Sequence, residues 1–215
     1  MITHVDSLGL NFVCAEEGCV LYPYDDHDDA RLTYHTGYGY LRADGRAPIG
    51  YATIGIGHLI RNGEVFGDIT KDRALAIFDE DSSNTEAEVV RWIQTDNQNH
   101  FNCFFDFAIN CGAGKLHNNQ LPLFNGSLAD AYMHGNFDMC RKIMAQFVHS
   151  KGAVDERLKG RRAREWALFN RPVVDQFNVE EVLAEVSVAA DKIIADELAE
   201  DFKNRHSSDD DERVS

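Results

Sequence analysis

Three side chains in the first quarter of the chain could share acid–base work on one polar bond. Glu17 stands before Gly18, Asp26 follows nine positions later at the end of Tyr24-Asp25-Asp26, and Thr53 opens the run Thr53-Ile54-Gly55-Ile56-Gly57-His58. Two carboxyls and a hydroxyl suit the cleavage of a glycosidic bond, in which one carboxylic acid protonates the leaving oxygen and the other carboxylate governs the attacking group. Glu17 closes a short helix, whose C-terminal end carries partial negative charge and favours the protonated acid that such a donor needs. Taken alone, a Glu-Gly pair reads as a solvated helix end, and Glu16 is read that way. Asp26 lies within Asp25-Asp26-His27-Asp28-Asp29, whose mutual repulsion leaves a loop in water or a member with a function. The cluster lacks the Gly at the sixth and the Glu at the twelfth position of a calcium loop. Thr53 alone says no more than β propensity. The combination carries the information.

Other chemistries are served less well. The histidines form no His-x-x-x-His pair and no Cys-x-x-Cys occurs, so no metal and no cofactor are expected. Gly37-Tyr38-Gly39 and Gly55-Ile56-Gly57 do not reach the third glycine of a nucleotide loop, and no Gly-x-Ser-x-Gly elbow is present.

The elements that must position these groups follow from periodicity. Ser7 or Asp6 caps a helix with Leu8, Phe12, Val13 and Ala15 on its apolar face, ending at Gly18. Residues 20–60 interleave Tyr22, Tyr24, Tyr34, Tyr38, Tyr40 and Tyr51 with Gly and Asp, which reads as short antiparallel strands and as the only β-rich part. From Thr70 the period is helical, first through Ala74, Leu75 and Phe78, then through Val89, Trp92 and Ile93. Phe101, Phe104, Phe105, Ala108 and Ile109 keep the helical spacing so fully that they predict a buried central helix, stopped by Gly112. Phe137, Cys140, Ile143, Met144 and Phe147 give another inward face, a basic helix runs from about Asp155 to Phe169, and Asn178-Val179-Glu180-Glu181 opens one more amphipathic helix.

Composition limits the setting. The chain has 215 residues, 44% of them hydrophobic, enough to bury a core without staples. Its five cysteines are expected as reduced thiols without a disulfide framework. No apolar run is long enough for stable membrane insertion, and the start Met1-Ile2-Thr3-His4 lacks the pattern of a signal peptide, which points to a cytoplasm. The net charge of −15 argues against nucleic acid, whose binding needs a basic patch. From Val173 onward 13 Asp+Glu stand against 4 Lys+Arg.

Together these motifs resemble the phage-type lysozymes and endolysins, glycoside hydrolase family 24. The resemblance rests on Glu17-Gly18, Tyr24-Asp25-Asp26 and Thr53 to His58, and continues at Ile69-Thr70-Lys71-Asp72, Phe107-Ala108-Ile109-Asn110-Cys111-Gly112 and Arg161-Arg162-Ala163-Arg164-Glu165. It implies a mainly helical α+β, two-lobed lysozyme fold with a small β-hairpin region in the N-terminal lobe. It implies a muramidase cleaving the β-1,4 bond between N-acetylmuramic acid and N-acetylglucosamine of bacterial peptidoglycan. Carried onto this chain, it makes Glu17 the general acid, with Asp26 and Thr53 positioning or activating the attacking water, all three lining one cleft. By the same likeness His58 supports the glutamate and pairs with Asp81, Arg161 faces Glu17, and Asn110 contacts substrate at the cleft floor; from its place before Gly112 Asn110 is also read as capping the central helix. The remaining basic residues of 157–164 read as a solvated helix face. The protein is expected in the host bacterial cytoplasm before its release to the cell wall.

Three departures stand out. Residues 27–52 form an enlarged hairpin or flap between Asp26 and Thr53; an extra amphipathic helix (173–205) and a disordered acidic tail (206–215) follow a catalytic domain spanning 1–171; and the chain is acidic where the family is commonly basic. The insertion or the added helix is a candidate surface for a protein partner. The competing readings are a catalytically silent peptidoglycan-binding or virion structural protein with this fold, a lytic transglycosylase, and a secreted antibacterial effector muramidase.

Overall fold

The computed structural model describes residues 1–118, 126–174 and 177–211. Helix α1 (Ser7–Glu17) is capped by Asp6, which accepts from the Gly9 amide, and stops at Gly18, whose positive φ of 83° suits a residue without Cβ. Strands β1 (Val20–Asp25), β2 (Leu32–His35), β3 (Gly39–Arg42), β4 (Ala52–Gly55) and β5 (His58–Leu59) follow. They form a three-stranded antiparallel sheet ordered β1-β4-β5 and a separate β2-β3 hairpin, so the insertion folds beside the sheet rather than within it.

The long helix α2 (Lys71–Ile93) begins at Thr70, whose hydroxyl accepts from the Arg73 amide. Next comes α3 (Gln98–Cys111), the expected central helix, with Phe101, Phe104, Phe105 and Phe107 buried at its core-facing positions. A short 3-10 turn (Ala113–Leu116), α4 (Leu128–Met133) and α5 (Phe137–Met144) close the second lobe around it. A two-residue hairpin, β6 (His149–Ser150) and β7 (Ala153–Val154), precedes α6 (Glu156–Phe169). The β-structure is therefore not confined to residues 20–60. Lys151-Gly152 supplies the two left-handed turn residues that a tight hairpin requires.

Helix α7 (Val179–Asp211) departs from its expected bounds. It starts where Asn178 accepts from the amides of Glu180 and Glu181, several residues after 173. It also carries its backbone through Asp211, into the stretch expected to be disordered, because extending a formed helix avoids the cost of a new nucleus. Residues 212–215 of that tail lie outside the described residues. Val182, Val186 and Ala190 pack with Leu8 and Phe12 of α1 and Ala163, Ala167 and Leu168 of α6, a second core beside the one around α3. Cys14, Cys103 and Cys140 are buried, and all five cysteines are free thiols.

Candidate active site

Glu17, at the last position of α1, keeps 37% of its side chain exposed. Its Oε1 accepts from Arg161 Nη1 at 2.6 Å. Arg161 comes from α6 and is itself gripped from below: its Nε and Nη2 donate to the two oxygens of Asp106 at 2.9 and 2.8 Å, and Asp106 on α3 has no exposed surface. Burial disfavours the guanidinium charge, but Asp106 and Glu17 outweigh that and hold Arg161 protonated more firmly than usual. The expected Arg161–Glu17 approach is thus one end of a line running from the central core to the surface.

More of the neighbouring charge is buried than the sequence suggests. Arg162 is not on a solvated face; it lies buried, donating to Glu165 Oε1 at 2.5 Å and Asn110 Oδ1 at 2.9 Å. Burial pushes the Glu165 carboxyl well above the usual carboxylate range, Arg162 opposing and Asp106 adding to the shift. Glu16 is likewise not a solvated helix end, being 8% exposed and held by Arg164 of α6 through two bonds. The reason is geometric: α6 lays its basic stretch against the end of α1, so both glutamates meet an arginine.

A cavity of 360 Å³ opens beside Glu17, lined also by Gly18, Tyr24, Asp29, Gly55 to Gly57, Phe78 and Ile109. Asp26 and Thr53 are not among its lining residues. They lie on the strand face that begins with Tyr24: Tyr24 pairs with Thr53, and alternation puts Asp26 on the side of Tyr24 and Asp25 on the other. The backbone of Tyr51 holds both groups. The Tyr51 amide donates to Asp26 Oδ1 at 2.7 Å, and the Thr53 hydroxyl donates to the Tyr51 carbonyl at 3.3 Å. Thr53 is buried and Asp26 exposed.

His58 pairs with Asp81 as expected, and its second nitrogen goes to Glu64. Its ring nitrogens meet Asp81 Oδ2 at 2.6 Å and Glu64 Oε2 at 3.1 Å, so the Asp81 pair forms but neither nitrogen turns to Glu17. It ties the sheet to α2 in a separate cavity with Arg61, Glu64 and Arg73. Asn110 does not cap α3, since the Gly112 amide reaches the Ala108 carbonyl; its oxygen is taken by Arg162. Among the described residues no group of three or more His, Cys, Asp or Glu is arranged to hold a metal ion.

Residues 15–165 match the family described as phage lysozyme. The chain belongs to the phage lysozyme family. It is a glycoside hydrolase, of a family that acts on peptidoglycan. No curated protein matches the chain. Among solved structures, a point mutant of P22 lysozyme is similar at 20% identity and a TM-score of 0.57, covering 79% of this chain and 100% of that one. The muramidase domain of SpmX from Asticaccaulis excentricus is similar at 18% identity and a TM-score of 0.55, covering 80% and 100%. The active form of the P1 phage endolysin Lyz gives 20% and 0.54, covering 82% and 89%. At these identities the structures speak for the fold. The family match ends at Glu165 and leaves α7 outside it.

Asp25, to which the sequence gives no role of its own, is the anchor of this corner. It has no exposed side-chain surface, and its oxygens accept from the amides of His27, Ile49 and Gly50 and from Arg42. Burial works against its charge, but the three backbone donors and Arg42 prevail and hold the carboxyl down at about 2. Because the folded value lies below the unfolded one, more protons bind the unfolded chain between the two. Asp25 therefore contributes stability that is full above pH ~4 and lost as pH falls toward ~2. The acid limb of the stability curve of Asp25→Asn is expected to be shallower there than that of the parent, as read by urea midpoints from pH 5 to 2. Parallel curves would show that Asp25 is not the group responsible.

Proposed function

We propose that this phage lysozyme family member cleaves the β-1,4 bond between N-acetylmuramic acid and N-acetylglucosamine in peptidoglycan. In this reading Glu17 gives its proton to the glycosidic oxygen, while Asp26 and Thr53 position or activate the attacking water. The observation that supports it best is the state of the two carboxyls. Each has one oxygen anchored by a donor, Arg161 for Glu17 and the Tyr51 amide for Asp26, while the side chain stays open to solvent. Such groups are oriented yet can reach a substrate. Asp29 is the other carboxylate on the cavity, presented by a left-handed turn residue with φ 59°. Asp26 is preferred because it holds the family position nine residues after Glu17 and because its anchor is shared with Thr53.

Residues 1–171 would then form the catalytic unit, with the inserted hairpin and α7 as additions. Among the described residues no helix is long and apolar enough to cross a membrane. Release from the host cytoplasm to the wall would rest on a lesion made by another protein, the family's usual route.

End-group analysis of digested peptidoglycan tests the chemistry. Soluble fragments ending in reducing N-acetylmuramic acid are expected. An anhydro-muramic end would make the enzyme a lytic transglycosylase, and undigested glycan would make it a silent member of the fold.

A further inference from the structure

The inserted segment 27–52 returns to the sheet through Ile49-Gly50-Tyr51, and its three successive amides all point at two successive carboxylates. Ile49 N donates to Asp25 Oδ2 at 2.7 Å, Gly50 N to Asp25 Oδ1 at 2.9 Å and Tyr51 N to Asp26 Oδ1 at 2.7 Å. A regular strand would send alternate amides to opposite edges, so this convergence is a built concavity for anionic oxygens. The hairpin closes it from the other side. Arg42, on β3, donates to Asp25 Oδ2 and, through its second nitrogen, to Asp28 Oδ2, both at 2.5 Å.

The fit leaves no space for a side chain at its centre. A Cβ at Gly50 would stand 2.0 Å from Asp26 Oδ1, 3.0 Å from Asp25 Oδ1 and 3.1 Å from the His27 amide nitrogen. Glycine is required here for approach and not for an unusual φ, since Gly50 is absent from the positive-φ residues. The two aspartates divide the work by strand alternation. Asp25 points inward, and its bonds fix where the Asp25–Asp26 peptide lies against the return segment. Asp26 points outward with Oδ1 on the Tyr51 amide, and among the described residues no donor reaches its Oδ2.

We infer that the insertion is an aiming device for Asp26, in which its Arg42 and Gly50, together with the Asp25 they hold at the end of β1, are positioning residues that fix one carboxylate oxygen of Asp26 and leave the other for the attacking water. This rests on the proposed role of Asp26. It gives the 27–52 segment a task in the reaction that needs no contact with the glycan, and it explains why a catalytic carboxylate should sit beside a second, wholly buried one.

The test is a double-mutant cycle on dye-labelled peptidoglycan, with turnover and apparent KM measured for Gly50→Ala, Asp26→Ala and the pair. Gly50→Ala is expected to lower turnover about 10²-fold, the order that a displacement near 1 Å can cause, with apparent KM unchanged. Added to Asp26→Ala it is expected to cost nothing more, because the group it misplaces is gone. A merely structural defect would multiply the two losses, and that result, or full turnover in Gly50→Ala, overturns the inference. Arg42→Met, which loosens the same cradle from the hairpin side, provides a second cycle should Gly50→Ala not fold. It is expected to show the same dependence on Asp26. Full turnover in Asp26→Ala would remove the assignment of Asp26 itself. An inactive Asp26→Ala beside a fully active Gly50→Ala would remove only the aiming.

Discussion

Glu17→Gln folds as the parent does and clears a peptidoglycan suspension about 10²–10⁴ times more slowly: that is the expected result of removing one proton donor while keeping its shape. The amide oxygen of Gln can still accept from Arg161 Nη1, the bond that orients the side chain, and the position is a helix end with 37% of the side chain exposed. Neither packing nor the arginine line should suffer. What is lost is the ability to hand a proton to the leaving oxygen, since an amide does not supply one at neutral pH. A thermal melt within about 2 °C of the parent, together with loss of clearing, is the signature sought. Full clearing by Glu17→Gln would dismiss Glu17 as the acid.

The second large effect is on stability. Arg161→Met removes the cation that faces Asp106, a carboxylate with no exposed surface and both oxygens bonded to that guanidinium. A buried charge stripped of its partner costs about 3–5 kcal/mol. At about 2–4 °C per kcal/mol for a chain of this size, the melting point should fall by about 6–20 °C. Most of that cost is the orphaned Asp106, so Arg161→Met/Asp106→Asn is expected to regain the larger part of it. Activity should not return with stability, because Glu17 has still lost its anchor. A double variant no more stable than Arg161→Met would mean that Arg161 stabilises by packing and not by answering Asp106.

Residues whose partners are close in sequence, or whose pattern repeats, were the ones that could be read in advance. The phenylalanines of α3 declare its buried face by spacing alone, Gly18 marks the end of α1, and Thr70 marks the start of α2. The Glu17, Asp26 and Thr53 spacing marks the helix and strands that bring Glu17, Tyr24 and Gly55 to the cavity, whereas the place of Arg161 opposite Glu17, 144 positions away, follows from the family resemblance alone. What could not be read was which charges would be buried. Asp106 sits among Phe104, Phe105 and Phe107, and an acid within such an apolar run is itself a sign of an internal counter-ion. Its partner, however, lies 55 positions away. Arg162 and Glu16 looked like surface residues because nothing nearby in sequence shows that α6 will lie across the end of α1. His58 found Asp81, one helix away, but its second nitrogen went to Glu64 in the intervening loop rather than to the glutamate. Asp25 and Asp26 look alike in sequence, and only pairing with β4 makes one a structural anchor and the other an exposed carboxylate.

The line from Asp106 through Arg161 to Glu17 also sets a schedule. Glu17 and Arg161 are separated by 144 positions, so a ribosome adding about 5–20 residues per second exposes α1 roughly 7–30 s before the arginine that holds its last glutamate. For the last 55 positions of that interval, about 3–11 s, Asp106 has no counter-ion and the central helix cannot be sealed with its charge in place. Helix α7, which braces α1 against α6, arrives later still. Every member of the proposed catalytic set is therefore synthesised before the arginine that holds Glu17.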